Sequence, residues 1–181
     1  MKNLLKISIL LFAIILIVSS CGNTTKQNNK NETQKPSIQI PEGYIDESIN
    51  SEDLYFLVKL DDFGDELSNI TIIESNDEIF STISNEQFII NQLGSASVDD
   101  WVKGNNELTS YEHIGSKEFK FNITGAVLMR QDSYAIQDIK IKSTLFQFIE
   151  NGKLYTCTGI SRNPDNDYFE DYVSVIETMK F

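Results

Sequence analysis

Hydrophobic and polar residues divide the chain into three parts. Residues 7–18 form an apolar run that only Ser8 interrupts, and residues 22–37 contain no large apolar side chain. Short apolar and polar segments then alternate to the end of the chain. Because residues 22–37 cannot offset their ordering entropy by burial, we expect them to be disordered. The alternating part predicts one folded domain over residues 38–181.

Short apolar segments predict strands in the first half of this domain. Alternation at Ile38 and Ile40 predicts a short first strand that enters the fold. Residues 54–58 and 70–74 each form an apolar run of strand length. Because residues 54–58 are apolar on both faces, they predict a central strand that is covered on both sides.

Two helical segments are predicted next. Ser84 and Gln87 have the spacing of a capping box, and Gly94 is placed to end the helix. The predicted apolar stripe of this helix consists of Ile89, Ile90 and Leu93. A second short helical turn is predicted over residues 97–104, with Trp101 as a core side chain.

From residue 108 onward the pattern predicts antiparallel hairpins. Residues 111–114 lead into Gly115-Ser116, which we interpret as a turn, and residues 117–124 then alternate strictly. The predicted buried side chains of that strand are Phe119, Phe121 and Ile123. Asn151-Gly152 is the strongest hairpin signal in the chain, and it joins the apolar run before it to residues 154–160.

A helix and an aromatic terminus are predicted at the end of the domain. Asp167 is placed to cap the helix, and apolar side chains then recur at helical spacing. This stripe consists of Phe169, Tyr172, Val173 and Ile176. Met179 and Phe181 are predicted to lie against the sheet edge. Consecutive hairpins with early and late helices predict an α+β domain, a three-layer α/β/α sandwich around a mainly antiparallel sheet.

The apolar run at the start of the chain follows Lys2 and Lys6 and ends in Val18-Ser19-Ser20-Cys21. It is too short to span a bilayer comfortably, since a span takes about 20 residues. The segment resembles the signal peptide and lipobox of bacterial lipoproteins, although the family more often has Leu where Val18 stands and Ala or Gly where Ser20 stands. The alternative is an ordinary secretory signal that leaves Cys21 as a free thiol.

The lipoprotein resemblance implies a membrane anchor. Residues 1–20 would be the signal peptide, and Cys21, the residue that follows the cut, would be diacylated on sulfur with palmitate-type chains and become the new N-terminus. Residues 21–37 would then be the lipidated cysteine and a disordered tether. Two or more acyl chains anchor a protein stably. The expected location is the cell membrane or the outer membrane, with the domain facing the periplasm or the exterior.

The charge of the chain limits its partners. The whole chain carries a formal net charge of −12, and removal of residues 1–20, which contain two lysines and no acidic residue, leaves about −14. Nucleic acid and anionic lipid both need a cationic face, so neither is an expected partner. With Cys21 lipidated, Cys157 has no disulfide partner, and the fold must be stabilised by its core.

Three segments of the domain resemble the PsbP-like family. They are "IQIPEGY" at residues 38–44, "NGKLYTCTGIS" at residues 151–161 and "IETMKF" at residues 176–181. The resemblance covers about residues 38–181 and implies an α/β/α sandwich that binds other proteins more than it catalyses. No functional residue carries over, because none can be matched individually.

Few residues indicate catalysis or metal binding. His113, the single histidine, lies beside a predicted turn with no serine elbow motif, and we interpret it as a surface residue. Cys157 alternates within a predicted strand and is expected to be a buried small hydrophobic residue. Zinc needs more Cys or His ligands than one of each. Two acidic runs lack the EF-hand loop spacing: Asp61, Asp62, Asp65 and Glu66, and Asp165, Asp167, Glu170 and Asp171.

The sequence therefore predicts a membrane-anchored lipoprotein that presents a non-catalytic interaction domain to a protein partner in the cell envelope. Cys21 is the one predicted site residue, as the lipidation site, and no catalytic residue, metal ligand or cofactor is expected. The alternative is a lipoprotein that binds a divalent cation or a small ligand through an acidic loop. An enzyme that depends on His113 is the third hypothesis.

Overall fold

A computed structural model describes residues 35–50, 53–93, 108–121, 125–136, 138–163 and 166–181. All of them belong to one compact unit, Gln34–Phe181. The predictions for Cys21, residues 97–104, Trp101 and Ile123 lie outside the described residues. None of the helices in the described part of the chain is long and apolar enough to cross a membrane.

The described residues form a seven-stranded antiparallel sheet and two α-helices, so the predicted α+β class is confirmed. The strands are β1 (Tyr44–Asp46), β2 (Tyr55–Leu60), β3 (Glu66–Ser75), β4 (Leu108–Phe121), β5 (Gly125–Ile136), β6 (Ile139–Glu150) and β7 (Lys153–Ser161). The helices are α1 (Asn85–Leu93) and α2 (Phe169–Thr178), and two 3-10 turns span Ser48–Asn50 and Glu78–Ser81. The spatial order is β1-β2-β3-β7-β6-β5-β4, which places β7 at the centre.

The predicted hairpin at Asn151-Gly152 is confirmed. Both residues have positive φ, 52° and 74°, and Glu150 pairs with Lys153 across the turn. A two-residue turn of this kind matches the right-handed twist of the strands, which is why Asn-Gly favours it.

The predicted turn at Gly115-Ser116 is wrong. β4 runs through this point as one strand of 14 residues and stays paired with β5. The register shifts between His113 and Gly115, so Ile114 is an extra residue in β4. A glycine inside an alternating strand is as typical of a β-bulge as of a turn. Because β4 stays paired with β5 on both sides of Gly115, this glycine belongs to a bulge.

One face of the sheet carries the main core and α2. The fully buried side chains here include Phe146 and Phe148 of β6 and Val175 and Ile176 of α2. The ring of Tyr172 lies directly on Gly159 of β7, where a Cβ would come within 2.5 Å of three ring atoms. The N-cap residue of this helix is Tyr168, which makes no side-chain capping bond, so the predicted cap at Asp167 is wrong by one residue. Asp167 lies just before it, and its carboxylate accepts from the Phe169 N–H at 3.0 Å.

The opposite face of the sheet forms a smaller core with α1. Phe88 and Ile89 are buried against Leu128 of β5 and Leu154 of β7. The predicted cap is confirmed, because Ser84 Oγ accepts from the Gln87 N–H at 3.1 Å. The predicted stripe is wrong in two members: Ile90 is 65% exposed and Leu93 is 43% exposed. The face that docks is centred one residue earlier, on Phe88.

The two ends of the domain differ from the prediction. Ile38 and Ile40 form no strand, because only Ser37 makes an isolated bridge, to Lys180, and the first strand starts at Tyr44. The end of the chain does not lie against the sheet edge. Met179 is buried in the main core, and the Phe181 ring packs on Phe148 and Tyr155 of the inner strands β6 and β7.

The strand predicted over residues 54–58 is confirmed as β2, one strand away from the β1 edge. Leu57 and Val58 point to opposite faces of the sheet and are both buried. The structure therefore confirms that this strand is covered on both sides, although it is not at the centre.

Candidate functional site

Five polar side chains meet on the hairpin of β4 and β5, and we call them the His113 cluster. They are Tyr111, His113 and Ser116 of β4 and Arg130 and Asp132 of β5. They lie on the same face of the sheet as Leu128, which is the face that carries α1. The cluster contains the only histidine of the chain.

The strand register assembles the cluster. His113 lies directly opposite Asp132, and Ser116 lies directly opposite Arg130. Residues three apart on a regular strand point to opposite faces, because side chains alternate. The extra residue Ile114 shifts this alternation by one, so that Ser116 joins His113 on one face. The bulge is therefore the backbone feature that builds the site.

Asp132 is the centre of the cluster and is 6% exposed. Its Oδ1 accepts from the Tyr111 hydroxyl at 2.7 Å and lies 2.8 Å from His113 Nδ1. Its Oδ2 lies 2.7 Å from Arg130 Nε. A buried carboxylate is tolerated when it is paired and hydrogen-bonded, and this one has three partners.

His113 is oriented by this carboxylate. Since a carboxylate oxygen accepts, Nδ1 carries the proton, and in the neutral imidazole Nε2 is then the acceptor. Ser116 Oγ lies 3.2 Å from Nε2 and can donate to it. His113 and Ser116 are both exposed, whereas Asp132 is buried, so the chain of contacts runs from the solvent to the interior.

Tyr111 and Arg130 support Asp132 from the other side. Arg130 Nη2 donates to the Tyr111 hydroxyl at 3.1 Å, which closes a ring of contacts around the carboxylate. Burial, together with the nearby Asp132 carboxylate, raises the pKa of Tyr111 to about 12. Tyr111 is therefore a protonated hydrogen-bond donor at neutral pH.

A cavity of about 430 Å³ lies further along the same hairpin, between β4 and α1. Ile89, Ile90 and Ala126 line its apolar side, and Glu86, Glu118 and Lys120 line its polar side. Glu118 lies two residues beyond Ser116 on the same face of β4. At the rise of a strand this spacing is about 7 Å.

Sequence reasoning found one member of the cluster and interpreted it differently. His113 is a strand residue near the surface as predicted, but it is held by Asp132 and lies beside a bulge. Tyr111, Ser116, Arg130 and Asp132 were missed. The one available signal was Gly115 within an alternating strand, which pointed to a turn or a bulge, and only the bulge brings these residues together.

Cys157 lies far from any such arrangement. It is 0% exposed in the middle of β7, and burial raises the pKa of its thiol to about 12. The prediction that it is a buried small hydrophobic residue is confirmed. A thiol that stays protonated and out of solvent is a poor nucleophile.

Several carboxylates of the two acidic runs are held by partners within the fold. Asp61 accepts from the N–H groups of Phe63 and Asp65, both at 2.8 Å, and so closes the turn between β2 and β3. Glu66 pairs with Arg162 at 3.0 Å, and Asp171 pairs with Lys59 at 3.3 Å. Asp165 lies outside the described residues. Within the described part of the chain, no three His, Cys, Asp or Glu side chains are grouped to hold a metal ion.

A second surface feature lies at the other end of the sheet, and we call it the β1 apolar edge. Its exposed apolar side chains are Ile40, Ile45, Ile49, Leu60 and Phe63. Ile49 is 95% exposed and Phe63 is 91% exposed. Exposed acidic residues lie among them: Glu42, Asp46, Glu47, Asp62 and Asp65.

The lysines of this region are held by other groups. Lys35 Nζ lies 3.6 Å from the centre of the Tyr55 ring. Lys59 pairs with Asp171 and lies 5.1 Å from the centre of the Tyr44 ring. The free charge around the β1 apolar edge is therefore acidic.

The chain matches no protein-family model and no curated protein. It is similar to a protein from Bacteroides thetaiotaomicron VPI-5482 whose crystal structure has been solved, with a TM-score of 0.49 and 14% sequence identity. The similarity covers 80% of this chain and 44% of that one. The chain thus spans less than half the length of that protein.

Proposed function

We propose that the protein is a lipoprotein, anchored by acyl chains on Cys21, that presents a PsbP-like domain to a protein partner in the cell envelope. The β1 apolar edge is the observation that carries the interaction part of this proposal. The lipobox-like residues 18–21 support the anchor. The packing of α1 and α2 against alternate residues of the sheet supports a three-layer α/β/α arrangement.

The β1 apolar edge has the character of an interface. Single exposed apolar side chains are ordinary on protein surfaces. The structure exposes five large ones between residues 40 and 63, with Ile49 beside the start of β2 and Leu60 and Phe63 at its far end, so they are spread along this edge of the sheet. Burying one such side chain is worth about 1.5–3 kcal/mol. Ile49 and Phe63 are almost fully exposed and would contribute most of this energy to a complex.

The surrounding charge indicates the chemistry of the partner. A surface on which exposed apolar and acidic side chains are interspersed is complementary to a protein surface that combines apolar with basic side chains. The same acidic side chains repel anionic lipid headgroups and nucleic acid. We therefore favour a protein over a membrane surface as the occupant of this edge.

The first experiment is a mild detergent purification of the lipidated protein from its own membranes, followed by mass spectrometry of what stays bound. We compare the wild type with Phe63→Ser combined with Ile49→Ser. Ile79→Ser is the matched control, because Ile79 is 54% exposed but lies beyond β3. We expect a stoichiometric partner that the double variant loses and the control keeps.

Two results would overturn the interaction proposal: a partner retained equally by all three proteins, or a clean monomer from wild-type membranes. High salt should also weaken the complex, because it screens the attraction between the acidic side chains of the β1 apolar edge and the partner.

The anchor is tested separately with Cys21→Ser. We expect this variant to leave the membrane fraction while the wild type stays in it, because acyl chains supply the membrane affinity. Equal partitioning of the two proteins into membranes would refute lipidation at Cys21. This measurement does not depend on the identity of the partner.

A further inference from the structure

The contacts of the His113 cluster have the order of a nucleophile, a base and a group that orients the base. Ser116 Oγ lies 3.2 Å from His113 Nε2, and His113 Nδ1 lies 2.8 Å from Asp132 Oδ1. We propose that Ser116 is an activated nucleophile that cleaves esters with a short apolar acyl group. This activity would be additional to partner binding and would not need the β1 apolar edge.

The hydrogen bonds of the cluster run in the direction that activation of Ser116 requires. Asp132 holds the proton of the imidazole on Nδ1, so the free lone pair of Nε2 faces the Ser116 hydroxyl. A serine hydroxyl is a weak nucleophile unless a base takes its proton as it attacks. His113 is in the position and the tautomer to do so. Such constellations are recognised by geometry and role, whatever the order of the residues in the sequence.

Exposure to solvent decreases along the chain of contacts from Ser116 to Asp132. Ser116 and His113 are exposed, where a substrate can reach them, and Asp132 is 6% exposed. Tyr111 and Arg130 hold the carboxylate in place at 2.7 Å each. A purely structural ion pair would have no need of a solvent-facing serine at its far end.

The neighbouring cavity of about 430 Å³ could hold the acyl group of a substrate. It begins at Glu118, two residues along β4 from Ser116, and Ile89, Ile90 and Ala126 form its apolar wall. Its size suits a short acyl chain. Ser116 itself does not line the cavity, so an ester with its acyl chain there would have to span the spacing of about 7 Å between Glu118 and Ser116.

β4 also offers donors for the charge that develops on the carbonyl oxygen. No described strand pairs with the outer side of β4, and about half of the N–H groups of an edge strand point away from the sheet. Backbone N–H groups of this kind form oxyanion holes in acyl-transfer enzymes.

The proposed step is a balanced acyl transfer. Ser116 Oγ forms a bond to the carbonyl carbon, and its proton passes to His113 Nε2. The bond between the carbonyl carbon and the alcohol oxygen breaks, and His113 gives the proton to that oxygen. Water then attacks the acyl-serine in the same way, which releases the acid and restores the hydroxyl. No oxidant, reductant or cofactor is needed.

The test measures hydrolysis of para-nitrophenyl butyrate and covalent labelling by a fluorophosphonate, using the full chain. Fluorophosphonates phosphonylate activated serines and release fluoride, and peptide mass mapping locates the label. The variants are Ser116→Ala and His113→Gln. Ser110→Ala is the matched control, because Ser110 is an exposed serine of the same strand opposite Ala135. Thermal melting shows whether each variant is folded.

We expect the label on Ser116 and a fall in ester hydrolysis of about 100-fold in Ser116→Ala and in His113→Gln, with Ser110→Ala unchanged. No label on Ser116 in the folded wild type would overturn the proposal. Equal hydrolysis by the wild type and a folded Ser116→Ala variant would overturn it as well. If His113→Gln proves unfolded, the Ser116→Ala comparison and the mapped label still decide.

Discussion

Two polar networks lie on opposite faces of the same sheet, and they differ in solvent exposure and in charge. On the α2 face, the Tyr44 hydroxyl donates to Ser68 Oγ at 2.9 Å, and Ser68 Oγ lies 2.9 Å from the Tyr172 hydroxyl. All three residues are buried. Burial raises the pKa of both tyrosines well above the ordinary value, so this network stays neutral.

The His113 cluster on the other face differs in charge and in access. It contains a carboxylate, a guanidinium and an imidazole, and it opens to solvent at Ser116. A closed network of neutral hydroxyls can only join the elements that it links, here β1, β3 and α2. An open network that ends in an exposed hydroxyl can also move a proton. Solvent exposure and charge, more than the number of hydrogen bonds, distinguish a network that only stabilises the fold from one that can transfer a proton.

The largest expected effect on stability comes from comparing an alanine substitution at one glycine beside each network. Gly159→Ala places a Cβ 2.4 Å from the Tyr172 ring, so α2 must shift away from β7. Overpacking of this severity should lower the free energy of unfolding by about 3 kcal/mol. Gly115→Ala is the control, because nothing lies within 4 Å of a Cβ there, and it should change stability by less than about 0.5 kcal/mol. Urea denaturation measures both, and similar losses would contradict the packing described for the two faces.

The next effect tests whether the Ser68 network is purely structural. Ser68→Ala removes the hydroxyl that both tyrosines contact and should cost about 1–3 kcal/mol, because it leaves buried polar groups without their partner. Adding Tyr44→Phe and Tyr172→Phe removes those groups and should restore part of the loss. Urea denaturation measures the free energy of unfolding of the single and the triple variant, and the difference between the two values tests the prediction. A triple variant that is less stable by the sum of separate losses would show that the hydroxyls act independently.

The smallest stability effect is expected at the other network. Ser116→Ala removes an exposed hydroxyl and should change the free energy of unfolding by less than about 0.5 kcal/mol. Calorimetric melting checks this value in the protein used for the ester assay. A loss of more than about 2 kcal/mol would place Ser116 among the structural residues and remove the distinction between the two networks.

Local signals predicted several features correctly because their causes are local. Asn151-Gly152 adopts positive φ with little cost, and Ser84 can reach the N–H of Gln87. Each depends on residues within three positions. The same holds for the alternation that places Phe119 and Phe121 together on one side of β4.

The predictions that proved wrong concern segments whose local pattern fits two different structures. Gly115 permits a turn or a bulge, and the pairing with β5 selects the bulge. Ile90 and Leu93 fit a helical stripe as well as Phe88 and Ile89 do, and the position of Leu128 and Leu154 on the sheet selects the latter pair.

By itself, the amino-acid sequence determined the hairpin at Asn151-Gly152, the cap at Ser84 and the acidic charge of this protein. The turn and the cap depend on neighbours along the chain, and the charge depends on composition alone. The tertiary structure alone decided that β7 lies at the centre of the sheet and that Tyr111, His113, Ser116, Arg130 and Asp132 meet on one face. Strand register is a non-local quantity, and one extra residue in a strand reverses the face of every side chain beyond it. Ile114 is that residue, and its position in β4 is what brings Ser116 to His113.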